Sequence, residues 1–194
     1  MNPYVSFGLA MCVIVLISLA ATAYMAVYFN RRAKADMAAA LAPLAEVVGG
    51  EADVEEARVS GRFAGHIAEG RVRQTAGGMG RVFQAFVIDG AGGSRWTWTM
   101  SRSKDPGGPD SPVFEGASPE LQARLEGDLK ALAAHPTLAH AWLKVEYDPA
   151  PGHILLTRPM RTRRDLPSAS AFSDYLKALV AIADGNRAVQ HPDG

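Results

Sequence analysis

Charge is missing from the first thirty residues: none of the 20 Lys+Arg or 20 Asp+Glu precedes Arg31. Cysteine is nearly missing, with Cys12 alone, which excludes an intramolecular disulfide framework and any cysteine-rich zinc site. Net charge of one sign is missing too. A formal balance of +0 argues against a general nucleic-acid binder, so no nucleic acid is expected as a partner. There is no Walker lysine behind a glycine turn, no Gly-x-Ser-x-Gly elbow and no histidine–glutamate zinc helix. No internal repeat is present. What remains is a chain of 194 residues, 48% hydrophobic, enough for one ordinary domain and a short appendage, and too apolar to be wholly disordered.

The uncharged stretch runs from Tyr4 to Phe29 as YVSFGLAMCVIVLISLAATAYMAVYF. As a helix it would be about 39 Å long, more than a hydrocarbon core of roughly 30 Å. A soluble core helix rarely lacks a polar face over that length. Tyr4 and Phe7 stand near one end and Tyr24, Tyr28 and Phe29 near the other, where rings favour the membrane–water boundary. A cleavable signal peptide fits poorly: the leader Met-Asn-Pro has no basic side chain, although Ala21-Thr22-Ala23 resembles a cleavage site. A lipid anchor on Cys12 fits less well, because the bulky Met11 precedes it and most of the apolar run follows it. The expectation is a membrane anchor over 1–30. Arg31, Arg32 and Lys34 follow the span and no cation precedes it, so the positive-inside rule places the N-terminus outside and the rest of the chain in the cytoplasm, at the inner (plasma) membrane.

A juxtamembrane helix is expected over 31–50, with Met37, Leu41, Leu44, Ala45 and Val48 on one face, a kink at Pro43 and an end at Gly49-Gly50. Glu51, Asp53, Glu55 and Glu56 read as a solvated linker or helix start. Four strands are then expected in a meander: Ala57 to Gly65, His66 to Thr75, Arg81 to Asp89 and Ser94 to Arg102, the last with Trp96, Trp98 and Met100 on one face. Lys104 to Ala117, rich in Gly and Pro, reads as a loop. Ser118-Pro119-Glu120 opens a helix with a leucine stripe at 121, 125, 129 and 132. Trp142 to Asp148 and His153 to Arg158 form a hairpin, and a last helix runs from about Ser170 to Val189. The expected class is α+β: a single transmembrane helix, then over 51–194 an antiparallel sheet of about six strands, meander plus hairpin, covered by two amphipathic helices.

Chemistry is sparse. Gly78-Met79-Gly80 precedes a strand signal rather than a helix, so hairpin geometry is a better reading than a nucleotide loop. His135 and His140 are separated by Pro136, so one helix face cannot present both, and His66, His153 and His191 are scattered. Glu146 and Asp148 share a strand face, a spacing that arises often without acid–base work. No metal or other cofactor is expected. The densest charge feature is Arg158, Arg161, Arg163 and Arg164. These guanidiniums repel one another unless anions lie near. Pairing with Asp165 or the Glu51–Glu56 run, contact with anionic lipid alongside Arg31, Arg32 and Lys34, and a grip on an acidic or phosphorylated partner are all open. Arg71, Arg73 and Arg81 would extend the patch if the meander packs beside the second hairpin. Trp142, opposite Leu143, Val145 and Tyr147, is a candidate exposed contact.

Membrane lipids and a membrane-protein partner are therefore the expected partners. The leading expectation is a tethered, non-catalytic interaction domain, an accessory or assembly subunit of a larger membrane complex. The alternatives are an anionic lipid- or phosphate-binding module using the arginine patch, and an enzyme with a loop-built site.

Overall fold

The computed structural model describes residues 3–75, 78, 80–88, 92–101, 111–138 and 142–190. The Gly/Pro segment over 102–110 and the histidines His140 and His191 lie outside the described residues, as do parts of both glycine turns. By internal contacts the chain forms two units, Met1–Ala39 and Ala40–Gly194.

The first unit is helical. Helix α1 covers Pro3–Val47, running on through Pro43. It contains an 18-residue window of mean hydropathy 2.3, none of it buried, and it is the one helix among the described residues long and apolar enough to cross a membrane. Tyr4, Phe7, Leu16, Ile17, Tyr24 and Phe29 are all widely exposed. Within α1, Thr22 Oγ1 donates to the Ser18 carbonyl one turn earlier at 2.8 Å.

The second unit begins in the last turns of α1, where Leu41, Leu44, Ala45 and Val48 are buried as their spacing predicts. Eight strands follow: β1 Glu51–Asp53, β2 Arg58–Phe63, β3 His66–Gln74, β4 Arg81–Ile88, β5 Trp96–Ser101, β6 Ser111–Glu115, β7 Leu143–Asp148 and β8 His153–Met160. Helix α2, Pro119–Ala133, lies between β6 and β7, and α3, Ala169–Gln190, follows β8. All strands join one antiparallel sheet in the order β1-β2-β3-β4-β8-β7-β5-β6. The class is α+β, an antiparallel sheet with helices packed on it.

Three details differ from the sequence reading. The acidic stretch is not a linker: Glu51–Asp53 is an edge strand paired with Arg58–Ser60. Gly50 allows this, since a Cβ there would lie 1.9 Å from the Ser60 carbonyl oxygen. The Gly/Pro segment ends in a strand, with Phe114 opposite Trp98 and Pro112 opposite Met100. Proline is tolerated because β6 is the other sheet edge, where its missing N–H leaves no ladder unpaired. The four-strand meander also breaks after its third strand. β4 pairs with β8, β8 with β7, and β7 with β5, so the second hairpin is inserted between β4 and β5. β8 is buried on both faces, from Ile154 through Arg158, and a strand of that kind belongs at the centre.

Ladder partners on one row share a face. The row Val59–Gly70–Ala85–Leu156–Val145–Trp98 lies under α3: a Cβ on Gly70 would meet Phe172 Cζ at 2.8 Å. Phe83 meets Phe172 edge-on at 5.9 Å between centroids. α3 packs on β4 and β8, and α2 packs on α3. The leucine stripe Leu121, Leu125, Leu129 and Leu132 is the buried face of α2, whose first N–H groups are capped by Ser118 Oγ accepting from Leu121 N at 3.2 Å. The core holds one buried amide, Asn186, whose Oδ1 accepts from the Trp96 indole N–H at 2.9 Å.

Candidate functional site: an arginine-lined cleft

β8 ends at Met160, and the chain turns through Arg161 and Thr162 into a 3-10 turn over Arg163–Asp165 before α3 starts. Asp165 organises this turn. Its Oδ2 accepts from the backbone N–H groups of Arg161 at 2.8 Å and Thr162 at 2.7 Å, and from the Thr162 hydroxyl at 3.3 Å. The backbone N–H of Thr162, then that of Arg161, hold the Asp165 carboxyl below its ordinary range, so it stays a carboxylate. Ser168 caps α3, its Oγ accepting from Ala171 N at 3.2 Å.

This turn, the end of β8 and the segment after α2 enclose a cleft of about 720 Å³. Arg158, Arg161 and Arg164 line it together with Trp142, Thr137, Asp165 and Ser168. Arg161 and Arg164 are exposed, and Trp142 is 42% exposed. Arg163 is half-buried and does not line the cleft. Arg31, Arg32 and Lys34 belong to the helical unit.

Arg158 is not a surface residue, contrary to the sequence reading. In β8 it stands opposite Phe83, on the helix-covered face, and is 7% exposed. Strand period decides this: Ile154, Leu156 and Arg158 alternate onto one side. Its Nη1 donates to the Thr137 carbonyl at 3.2 Å and to the Tyr175 hydroxyl at 3.1 Å, and the guanidinium sits 5.8 Å from the Tyr175 ring centroid. Its Nε is buried with no hydrogen-bond partner among the described residues.

Of the acids expected to neutralise this cluster, Asp165 lines the cleft, and Arg158 is among the groups that lower its carboxyl, while Arg163 and Glu55 each have partners of their own. Asp165 spends its oxygen on backbone N–H groups, while Asp53 and Glu56 face Arg58 at 3.8 and 3.3 Å. Among the described residues, no carboxylate comes within 4.0 Å of Arg158, Arg161 or Arg164. Arg71 and Arg73 do not extend the patch. They align through β4 with Thr157 and Pro159, on the face opposite Arg158. There Arg71 Nε donates to Gln84 Oε1 at 3.0 Å and lies 5.3 Å from the Phe86 centroid, with Glu69 Oε1 at 3.7 Å from its Nη1. Burial, first of its causes, raises the Glu69 carboxyl and lowers the Arg71 guanidinium from their ordinary ranges.

Sequence reading missed the wall behind the cleft. Asp174 Oδ2 lies 3.6 Å from His135 Nε2, His135 Nδ1 lies 2.8 Å from Thr137 Oγ1, and Thr137 Oγ1 is hydrogen-bonded to the Tyr175 hydroxyl, which accepts from Arg158. Tyr175 lies on α3 one residue before Leu176 and is fully buried. Its hydroxyl's place beneath Arg158 depends on tertiary packing. The other candidates have local partners. Glu146 is ion-paired with Lys144 and Asp148 with Arg95. The β3–β4 turn is closed by Thr75 N–H donating to the Gly80 carbonyl at 2.9 Å. No group of three metal-ligating side chains occurs among the described residues.

Comparison with protein-family models, with curated proteins and with solved structures finds no match to this chain.

Proposed function

We propose that this chain is a single-span membrane protein whose domain works as a tethered, non-catalytic interaction module, an accessory or assembly subunit of a larger membrane complex. The observation that carries this reading is the uncovered apolar helix: its most hydropathic window is wholly exposed, and its last turns supply Leu41, Leu44, Ala45 and Val48 to the domain's core. Leaving that much apolar surface in water is unfavourable by about 25 cal/mol per Å², so lipid or a partner must cover it. Holding the domain at a membrane raises its effective concentration for a membrane-bound partner.

Arg31, Arg32 and Lys34 at the end of the span support an inner-membrane placement with the domain on the cytoplasmic side. The half-exposed Trp142 supports a binding role, since exposed indoles are frequent anchors at interfaces. Purification of the full chain in mild detergent, with mass spectrometry of the intact particle, tests the reading. A stoichiometric membrane-protein companion is expected. A strictly monomeric particle without one, or release of the chain by alkaline carbonate, overturns it.

A further inference from the structure

We propose that the cleft between β8 and α3 is a binding site for a phosphate monoester, gripped by Arg158, Arg161 and Arg164 with its organic part against Trp142. The cleft is lined entirely by residues of the unit Ala40–Gly194, so its chemistry is the same whether or not α1 spans a membrane.

Charge sets the ligand's sign and size. Three guanidiniums and one carboxylate line the cleft, so its own groups leave two positive charges without a counter-ion among the described residues. A phosphate monoester carries about −1.5 to −2 at pH 7 and supplies three acceptor oxygens, which matches that excess better than a carboxylate or a sulfate ester. Ser168, at the N-cap of α3, is part of the wall and adds the positive end of a 22-residue helix.

Burial sets the specificity. Arg158 is 93% withdrawn from solvent, uses only Nη1 within the described residues, and leaves Nε buried without an acceptor. A buried cation is costly unless paired, and its hydrogen bonds here go to neutral oxygens, with the Asp165 carboxylate the one anion lining the cleft. Tyr175 and Thr137 fix its plane before any ligand arrives, so little side-chain freedom is lost on binding. Arg161 and Arg164, both exposed, can close on the remaining oxygens as bidentate forks. Trp142 offers an apolar face at the same wall.

The test is titration calorimetry on the full chain in detergent. The soluble arm uses inorganic phosphate, phenyl phosphate and phenyl sulfate. The lipid arm uses dihexanoyl phosphatidic acid, whose headgroup is a phosphate monoester, against dihexanoyl phosphatidylcholine. Saturable binding of phenyl phosphate, at least several-fold tighter than phenyl sulfate, is expected. Arg161→Ala and Arg164→Ala, at exposed positions that leave the unfolding midpoint in place, should each weaken it roughly tenfold. Trp142→Ala should weaken phenyl phosphate and spare inorganic phosphate. Preference for phosphatidic acid over the soluble esters assigns the site to a lipid headgroup, and the reverse assigns it to a soluble ester. Both outcomes support the shared chemistry. Absence of saturable binding up to about 10 mM of every monoester, equal affinity for phenyl sulfate, or affinity unchanged in Arg161→Ala and Arg164→Ala overturns the proposal.

Discussion

Replacing Asn186 with leucine removes the side-chain hydrogen bond to Trp96 that ties the last helix to the sheet. Asn186 is 0% exposed and Trp96 1% exposed, so no water can replace either partner. Leucine has the same branched side-chain skeleton, somewhat bulkier, and no acceptor. The Trp96 indole N–H, now 2.9 Å from Asn186 Oδ1, would be left buried and unpaired, at about 1–3 kcal/mol. Leucine is the better helix former by about 0.5 kcal/mol, too little to reverse the sign. For a unit the size of Ala40–Gly194 each kcal/mol moves the unfolding midpoint by about 2–4 °C, so the net cost corresponds to a fall of about 1–10 °C. Near-ultraviolet circular dichroism on heating, in detergent, reads it. The companion variant Trp96→Phe removes the donor, and in the double variant the indole N–H is no longer left unpaired. The double should therefore be less destabilised than the sum of the singles, by about 0.5–3 kcal/mol. An unchanged midpoint in Asn186→Leu, or strict additivity, refutes the reasoning.

Three other perturbations probe separate parts of the molecule. Gly70→Ala puts a methyl 2.8 Å from Phe172 Cζ and 3.2 Å from Phe83 Cζ, both fully buried rings, and should cost about 1–3 kcal/mol in chemical denaturation. Ile17→Arg places a charge midway along the exposed apolar helix, a penalty of about 2.5–3.5 kcal/mol for insertion, and should raise the fraction freed by alkaline carbonate. His153, stacked on Phe86 at 5.3 Å, has a pKa below the ordinary 6.5, chiefly through burial and against the pull of Asp148. The unfolded chain then takes up this proton first as pH falls. His153 costs the fold nothing above 6.5 and destabilises it progressively from 6.5 down through its folded value. His153→Gln should flatten the midpoint-versus-pH curve in that window; an unchanged slope counts against the assignment.

Local pattern was enough to find the apolar helix, the leucine stripe of α2 and the alternation of Leu143, Val145 and Tyr147. Each is a short-range regularity tied to one burial surface. Neighbour order is a different kind of information. Trp96, Trp98 and Met100 announce an apolar face without saying which strand lies beside it, and hairpin spacing suggested β4, whereas the true neighbour is β7. The one clue was Ile154-Leu155-Leu156, apolar on both faces and so central. β1 was hidden by its acids, which an exposed edge tolerates, and β6 by the Gly and Pro residues before it. At the candidate site, grouping by sequence proximity puts Arg158, Arg161, Arg163 and Arg164 together, the first, second and fourth of which line the cleft. It missed that strand parity sends Arg158 inward, and it could not foresee Tyr175 and Thr137, which reach the site from α3 and from the segment after α2.

The inserted hairpin has a consequence for how the domain comes into being. During synthesis β1 to β4 emerge first and then β5 and β6, but the strands that join them, Leu143–Asp148 and His153–Met160, emerge later. Until then β4 and β5 each present an unsatisfied ladder, the kind of edge that recruits foreign strands. A nascent chain halted after Glu115 and before Leu143 thus holds two sets of strands without the pair that joins them, and completion of the domain rests on one late hairpin acting as its keystone.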